Sequence, residues 1–135
     1  MRKLLLTAAT LLLGICAFAQ SEQTVSKKNL VVKEWNTDAR SNARVMDHVT
    51  TYNADGKKIE EIEYYSNGKQ KWRKRYEYGP NGKVSRELVY DERNRLDTAK
   101  KFEYNELDQK KTQYNYDAKG KLRSVKVFEY IAEDA

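Results

Sequence analysis

The 135-residue chain carries 26 lysines and arginines against 20 acids, a formal charge of +6, with 34% of its residues charged. One histidine, His48, and one cysteine, Cys16, exclude a multi-histidine metal centre and a Cys/His zinc site. A mild positive balance spread over alternating charges describes a solvated surface rather than a nucleic-acid groove.

Arg2 and Lys3 precede an apolar stretch from Leu4 to Ile15, closed by Ala17-Phe18-Ala19. This is the layout of a signal peptide over residues 1–19, cleaved after Ala19. The stretch is too short for a membrane span, and nothing later is apolar enough to anchor the chain. Cys16 raises the alternative of a lipid anchor, for which Ile15 is a poor fit because such signals place a small residue before the cysteine. The expected location is periplasmic or secreted, without a transmembrane segment. Cleavage would also remove the only cysteine, so no disulfide framework is available to the remainder.

Residues 20–28 are polar and aperiodic, the composition of a flexible leader. Leu30 to Trp35 reads as a strand and Asn36 to Asn42 as a loop. Tyr52, Tyr64, Tyr78, Tyr90, Tyr104 and Tyr116 then recur. Each is followed four residues later by Gly56, Gly68, Gly82, Asn94, Asp108 or Gly120. The steps alternate between 12 and 14, so the unit is 26 residues, visible in Tyr76-Glu77-Tyr78, Phe102-Glu103-Tyr104 and Phe128-Glu129-Tyr130.

The unit encodes a β-turn. Asn53, Asp91, Asn105 and Asp117 occupy the first position, where a short polar side chain bonds the backbone two residues on, and Pro80 suits the second. The fourth position takes glycine, Asn or Asp, the residues that least resist positive φ. A type I turn closed by such a residue makes a three-residue hairpin loop with a bulge. The repeats predict long strands near 43–52, 69–78, 95–104 and 121–130, with short ones near 57–64, 83–90 and 109–116. No stretch holds a 3.6-residue period. The expected fold is all-β: one antiparallel meander of seven to eight strands over residues 29–130, twisted and partly open, with a short tail at 131–135.

If each turn pairs its strands symmetrically, even-numbered positions share one face throughout. That face would gather Ile62, Tyr64, Leu88, Tyr90, Tyr114 and Tyr116 with Trp72, Lys74, Tyr76, Tyr78, Lys100, Phe102, Tyr104, Lys126, Phe128 and Tyr130. The odd face would be charged, with Glu61 opposite Arg73, Glu63 opposite Lys71, Arg75 opposite Glu87 and Lys83 opposite Glu103. Trp72 would then lie beside Tyr90. An aromatic face of that extent demands cover from a closed barrel, a curled sheet or a second copy in a homodimer. Burying the row Lys74, Lys100 and Lys126 would be costly, however. Glu60 is a nearby acid able to pair with Lys74.

The string Tyr116-Asp117-Ala118-Lys119-Gly120-Lys121-Leu122 resembles the YD repeat of Rhs-type and teneurin shell proteins. The resemblance covers roughly residues 50–130. It implies consecutive β-hairpins, although six copies are too few for a closed shell. With its leader, the chain also looks like the small exported proteins of unknown function common in Bacteroides and relatives. That likeness implies a fold and a location, with no activity to carry over.

Catalytic signals are sparse. A Ser-His-Asp site would need His48, which the repeat makes the first copy of a lysine row. Acid/base pairs cannot be picked from twenty carboxylates by spacing, and each turn offers too few oxygens for calcium. No cofactor is expected. Tyrosines beside lysines could fill a core edge, or form a platform for an anionic glycan or a protein of the cell envelope or extracellular space. The expectation is a non-enzymatic binding or scaffold module that uses Trp72, Lys74, Tyr76, Tyr78, Lys100, Phe102, Tyr104, Lys126, Phe128 and Tyr130. A hydrolase acting on extracellular polymers, which would need a cleft holding two acids, is the alternative.

Overall fold

The computed structural model describes residues 25–133. The expected signal peptide, the first part of the leader and the last two residues lie outside the described residues. Eight strands follow in chain order: β1 (Val31–Thr37), β2 (Arg44–Tyr52), β3 (Lys58–Tyr64), β4 (Gln70–Tyr78), β5 (Val84–Tyr90), β6 (Leu96–Tyr104), β7 (Lys110–Tyr116) and β8 (Leu122–Val127). They form one antiparallel sheet in the order β1 to β8, each strand touching only its sequence neighbours. Among the described residues the sheet does not close, and β1 and β8 are its edges.

The hairpin chemistry is the one encoded by the repeat. Gly56, Gly68, Gly82, Asn94, Asp108 and Gly120 all have positive φ, between 57° and 84°. The Asp91 carboxylate accepts the amides of Arg93 and Arg95, each at 2.9 Å, and Asp117 repeats this with Lys119 and Lys121. Asn53 and Asn105 do the same with neutral side chains. Where Tyr65 and Gly79 stand at the first position, Asn67 and Asn81 accept the closing amide instead. Asn29 and Asn42 also have positive φ. The turn around Asn29 ends the expected leader, and its amide binds the Asn53 carbonyl at 2.9 Å.

The faces differ from the expectation. In every hairpin from β2–β3 to β7–β8 the pairing slips by one residue just before the tyrosine that ends the first strand. The residues bypassed are Ile59, Lys71, Ser85, Asp97, Lys111 and Arg123. This is a β-bulge three residues beyond each positive-φ residue, and one extra residue reverses the parity between strands. Beyond the slip, Glu61 opposes Lys74 and not Arg73, Glu63 opposes Trp72, and Arg75 opposes Leu88. Lys83 precedes β5, and Arg86 opposes Lys101. Tyr78 does pair with Val84 as expected. Tyr90 pairs with Arg73 on the face away from Trp72.

The front face therefore carries even residues of the long strands (His48, Trp72, Lys74, Tyr76, Lys100, Phe102) and odd residues of the short ones (Glu61, Glu63, Glu87, Gln113). The back face carries Ile62, Leu88, Tyr90, Tyr114 and Tyr116 among Arg73, Arg75, Ala99 and Lys101. Apolar residues are thus shared between the two faces. Phe102, 8% exposed, is the only buried hydrophobic residue among those described. Long cations cover rings in its place: Arg73 over Tyr90 at 4.4 Å, Lys110 over Phe102 at 4.6 Å and Lys57 over Tyr78 at 5.2 Å. Such contacts protect aromatic surface at a cost in side-chain freedom.

Candidate functional site

The strand alternation within β4 and β6 places Trp72, Lys74, Tyr76, Tyr78, Lys100, Phe102 and Tyr104 together on the front face. Lys126 joins them, opposite Gln113 on β7. Phe128 and Tyr130 follow the end of β8, and Phe128 still donates its amide to the Lys111 carbonyl at 3.1 Å. The ten expected face residues are therefore brought to one side of the sheet, but they are not equally available.

Three of them serve the framework. The hydroxyls of Tyr78, Tyr104 and Tyr130 donate to the backbone carbonyls of Lys58, Val84 and Lys110 at 2.5, 2.6 and 2.7 Å. Each bond joins the end of a long strand to the start of the short strand before it. Burial raises the pKa of Tyr78 and Tyr104, which keeps these donors protonated.

At the centre, β3 and β5 supply acids that symmetric pairing had put on the other face. Glu61 receives the Tyr76 hydroxyl, and lies 3.0 Å from Lys58 Nζ and 3.5 Å from His48 Nε2. Burial opposes ionisation of Glu61, but the Tyr76 hydroxyl, Lys58 and His48 outweigh it and hold the carboxyl below its usual range. Burial first, and then Glu61, push the Tyr76 phenol well above its usual value. The His48 ring meets Trp72 edge-on, with centroids 5.9 Å apart. Glu87 sits between the two expected lysines, 3.5 Å from Lys74 and 3.9 Å from Lys100. Glu60 serves Arg73 and Arg75 on the back face, not Lys74. Sequence reasoning missed Glu61 and Glu87 because only the bulge brings them forward.

Towards the turn end of β5–β7, an open depression of about 360 Å³ is lined by Lys83, Val84, Glu87, Phe102, Tyr104, Asp108 and Lys110. Lys83 and Lys110 make no ion pair among the described residues. The depression therefore offers the half-buried Tyr104 ring beside a Phe102 that Lys110 covers, the ammonium groups of Lys83 and Lys110, and the carboxylates of Glu87 and Asp108. No group of three His, Cys, Asp or Glu side chains able to hold a metal occurs among the described residues. Glu61 and Glu87 flank Tyr76, both largely buried and each held by cations. No protein-family model matches the chain, and no curated protein matches it in sequence.

Proposed function

We propose that the protein is an exported, non-enzymatic binding or scaffold module whose front face contacts an anionic glycan or a protein with similar surface chemistry. The observation that carries this reading is the depression where Phe102 and Tyr104 meet Lys83 and Lys110. A sugar ring can stack against the half-buried Tyr104 ring while its carboxylate or sulfate meets Lys83 or Lys110, and neighbouring carboxylates accept its hydroxyls. Lys74 and Lys100 already share Glu87, which moves the weight of recognition to Lys83, Lys110 and Lys126. Export rests on the N-terminal sequence pattern.

The test is retention of the purified protein on an immobilised polyuronate, with a neutral polysaccharide as control. Retention on the polyuronate alone, weakening as salt rises because exposed charges are screened within about 8 Å at physiological ionic strength, supports the reading. The triple variant Lys83→Ser, Lys110→Ser and Lys126→Ser should then elute with the control while remaining folded, its melting lowered only by the loss of the cover that Lys110 and Lys126 give Phe102 and Phe128. Equal retention of parent and triple variant would overturn it.

A further inference from the structure

The two edges of the sheet, unpaired among the described residues, are complementary to each other. Within the sheet a long strand is always followed by a short one: β2 by β3, β4 by β5, β6 by β7. The last strand, β8, is of the long class by its place in the repeat, and the first, β1, is of the short class. Placing β1 of a second copy beside β8 would continue the alternation without a break.

The register of that junction follows from the internal ones. Tyr78 pairs with Val84, Glu77 with Arg86 and Tyr76 with Glu87, and Tyr104, Glu103 and Phe102 pair with Lys110, Thr112 and Gln113. The turn residue Asn29 and the pairing of Glu34 with His48 align β1 with β3 at an offset of 27 residues. Carried over, Tyr130 falls opposite Val31, Glu129 opposite Lys33, Phe128 opposite Glu34 and Lys126 opposite Asn36. Two charge relations of the interior reappear. Glu129 meets Lys33 as Glu77 meets Arg86, an ion pair at 3.3 Å. Lys126 stands diagonal to Glu34 as Lys74 stands to Glu87, at 3.5 Å. Lys33, Glu34, Lys126 and Glu129 make no ion pair among the described residues. The edges also expose Val31, Val32 and Trp35 on one side and Val125, Val127 and Tyr130 on the other, from 37% to 67%.

We infer that the protein associates with itself head to tail, β8 of one copy pairing antiparallel with β1 of the next to extend one continuous sheet. Such a contact is heterologous, so it propagates into an open ribbon unless its rotation closes a ring. The unpaired backbone groups of both edges are satisfied by the junction, as in strand addition. This surface lies apart from the front-face depression but shares Lys126 with the proposed binding face, and its test, made at Lys33 and Glu129, does not depend on any glycan.

The experiment is sedimentation velocity of the purified protein over a concentration series, with three samples beside the parent. The parent should form species larger than a dimer as concentration rises. Lys33→Glu alone and Glu129→Lys alone each place like charges opposite one another, and each should weaken association by roughly five-fold or more. Both the double variant and an equal mixture of the two single variants restore opposite charges at every junction, and should recover the parent behaviour. A parent that remains monomeric up to about 1 mM overturns the inference. So does a dimer limit, as an edge pairing with its own copy or a face-to-face dimer would give, or association indifferent to Lys33→Glu.

Discussion

Tyr104 reaches from β6 to donate its hydroxyl to the Val84 carbonyl on β5, 2.6 Å away, and the repeat reproduces this bond at Tyr78 and Tyr130. In a sheet with one buried hydrophobic residue among those described, these bonds tie neighbouring strands where packing is thin. Tyr104→Phe keeps the ring and removes the donor. It should cost about 0.5–1.5 kcal/mol, the net worth of one hydrogen bond, and lower Tm by a few degrees. Tyr116→Phe, whose hydroxyl makes no such bond, serves as control. Equal Tm losses in thermal unfolding by circular dichroism would deny the tyrosine bond its role.

Glu87 is the shared partner of Lys74 and Lys100. Glu87→Gln removes the counter-charge while leaving both ammonium groups in place. Because the lysine side chains are 29% and 40% exposed, water compensates much of the loss, and destabilisation should stay below about 1 kcal/mol. The front face becomes more cationic, so retention on a polyuronate should rise and its salt dependence steepen. A fall in retention would assign Glu87 to the recognition of the sugar itself.

The turns were legible because their chemistry is local. Asp91 and Asn94 specify a conformation through bonds spanning four residues, and the strands follow as what lies between turns. The face assignment was not legible, and the reason is one residue per hairpin. Symmetric pairing sets Glu61 against Arg73 and Arg75 against Glu87. The bulged pairing sets Glu61 against Lys74 and Glu87 against Lys100. Both registers oppose unlike charges, so the charge pattern did not choose between them. The choice falls to side-chain cover: the bulge divides Tyr76 and Phe102 from Tyr90 and Tyr114, and gives each ring a cation or polar neighbour. That same division brings Glu61 and Glu87 forward and leaves fewer of the expected lysines free.

Gly82 and Gly120 both have positive φ, at 74° and 78°, but their surroundings differ. A Cβ at Gly82 would lie 2.8 Å from Lys57 Nζ, which donates to the Gly82 carbonyl at 3.0 Å and covers the Tyr78 ring. A Cβ at Gly120 meets nothing within 4 Å. Each alanine variant carries the left-handed strain of about 1–2 kcal/mol. Gly82→Ala should lose more than Gly120→Ala, because the lysine must also move. The order is read from urea midpoints at equal m-value, and a reversed order would count against the link between Lys57 and the Gly82 turn.

Acid should unfold the sheet through its centre. Glu61 has a folded-state pKa below its ordinary value of 4.5, because Tyr76, Lys58 and His48 together outweigh the cost of burial. A depressed carboxylate contributes stability that is fully present above the unfolded pKa and is lost as pH falls through the folded one. Between pH 7 and the ordinary value this contribution should hold constant, then decline in more acidic solution. Glu61→Gln lacks it, so the stability gap between parent and variant should be widest near neutrality and narrow below about pH 4. Asp91 and Asp117 are also held below their ordinary range, by the amides of Arg95 and Lys121 foremost, so the parent keeps losing stability in acid after the gap has narrowed. Urea unfolding of both proteins from pH 7 to pH 3 measures the gap directly. A gap that stays constant across this range would mean that the Glu61 side chain acts through packing, and that its charge contributes nothing to the fold.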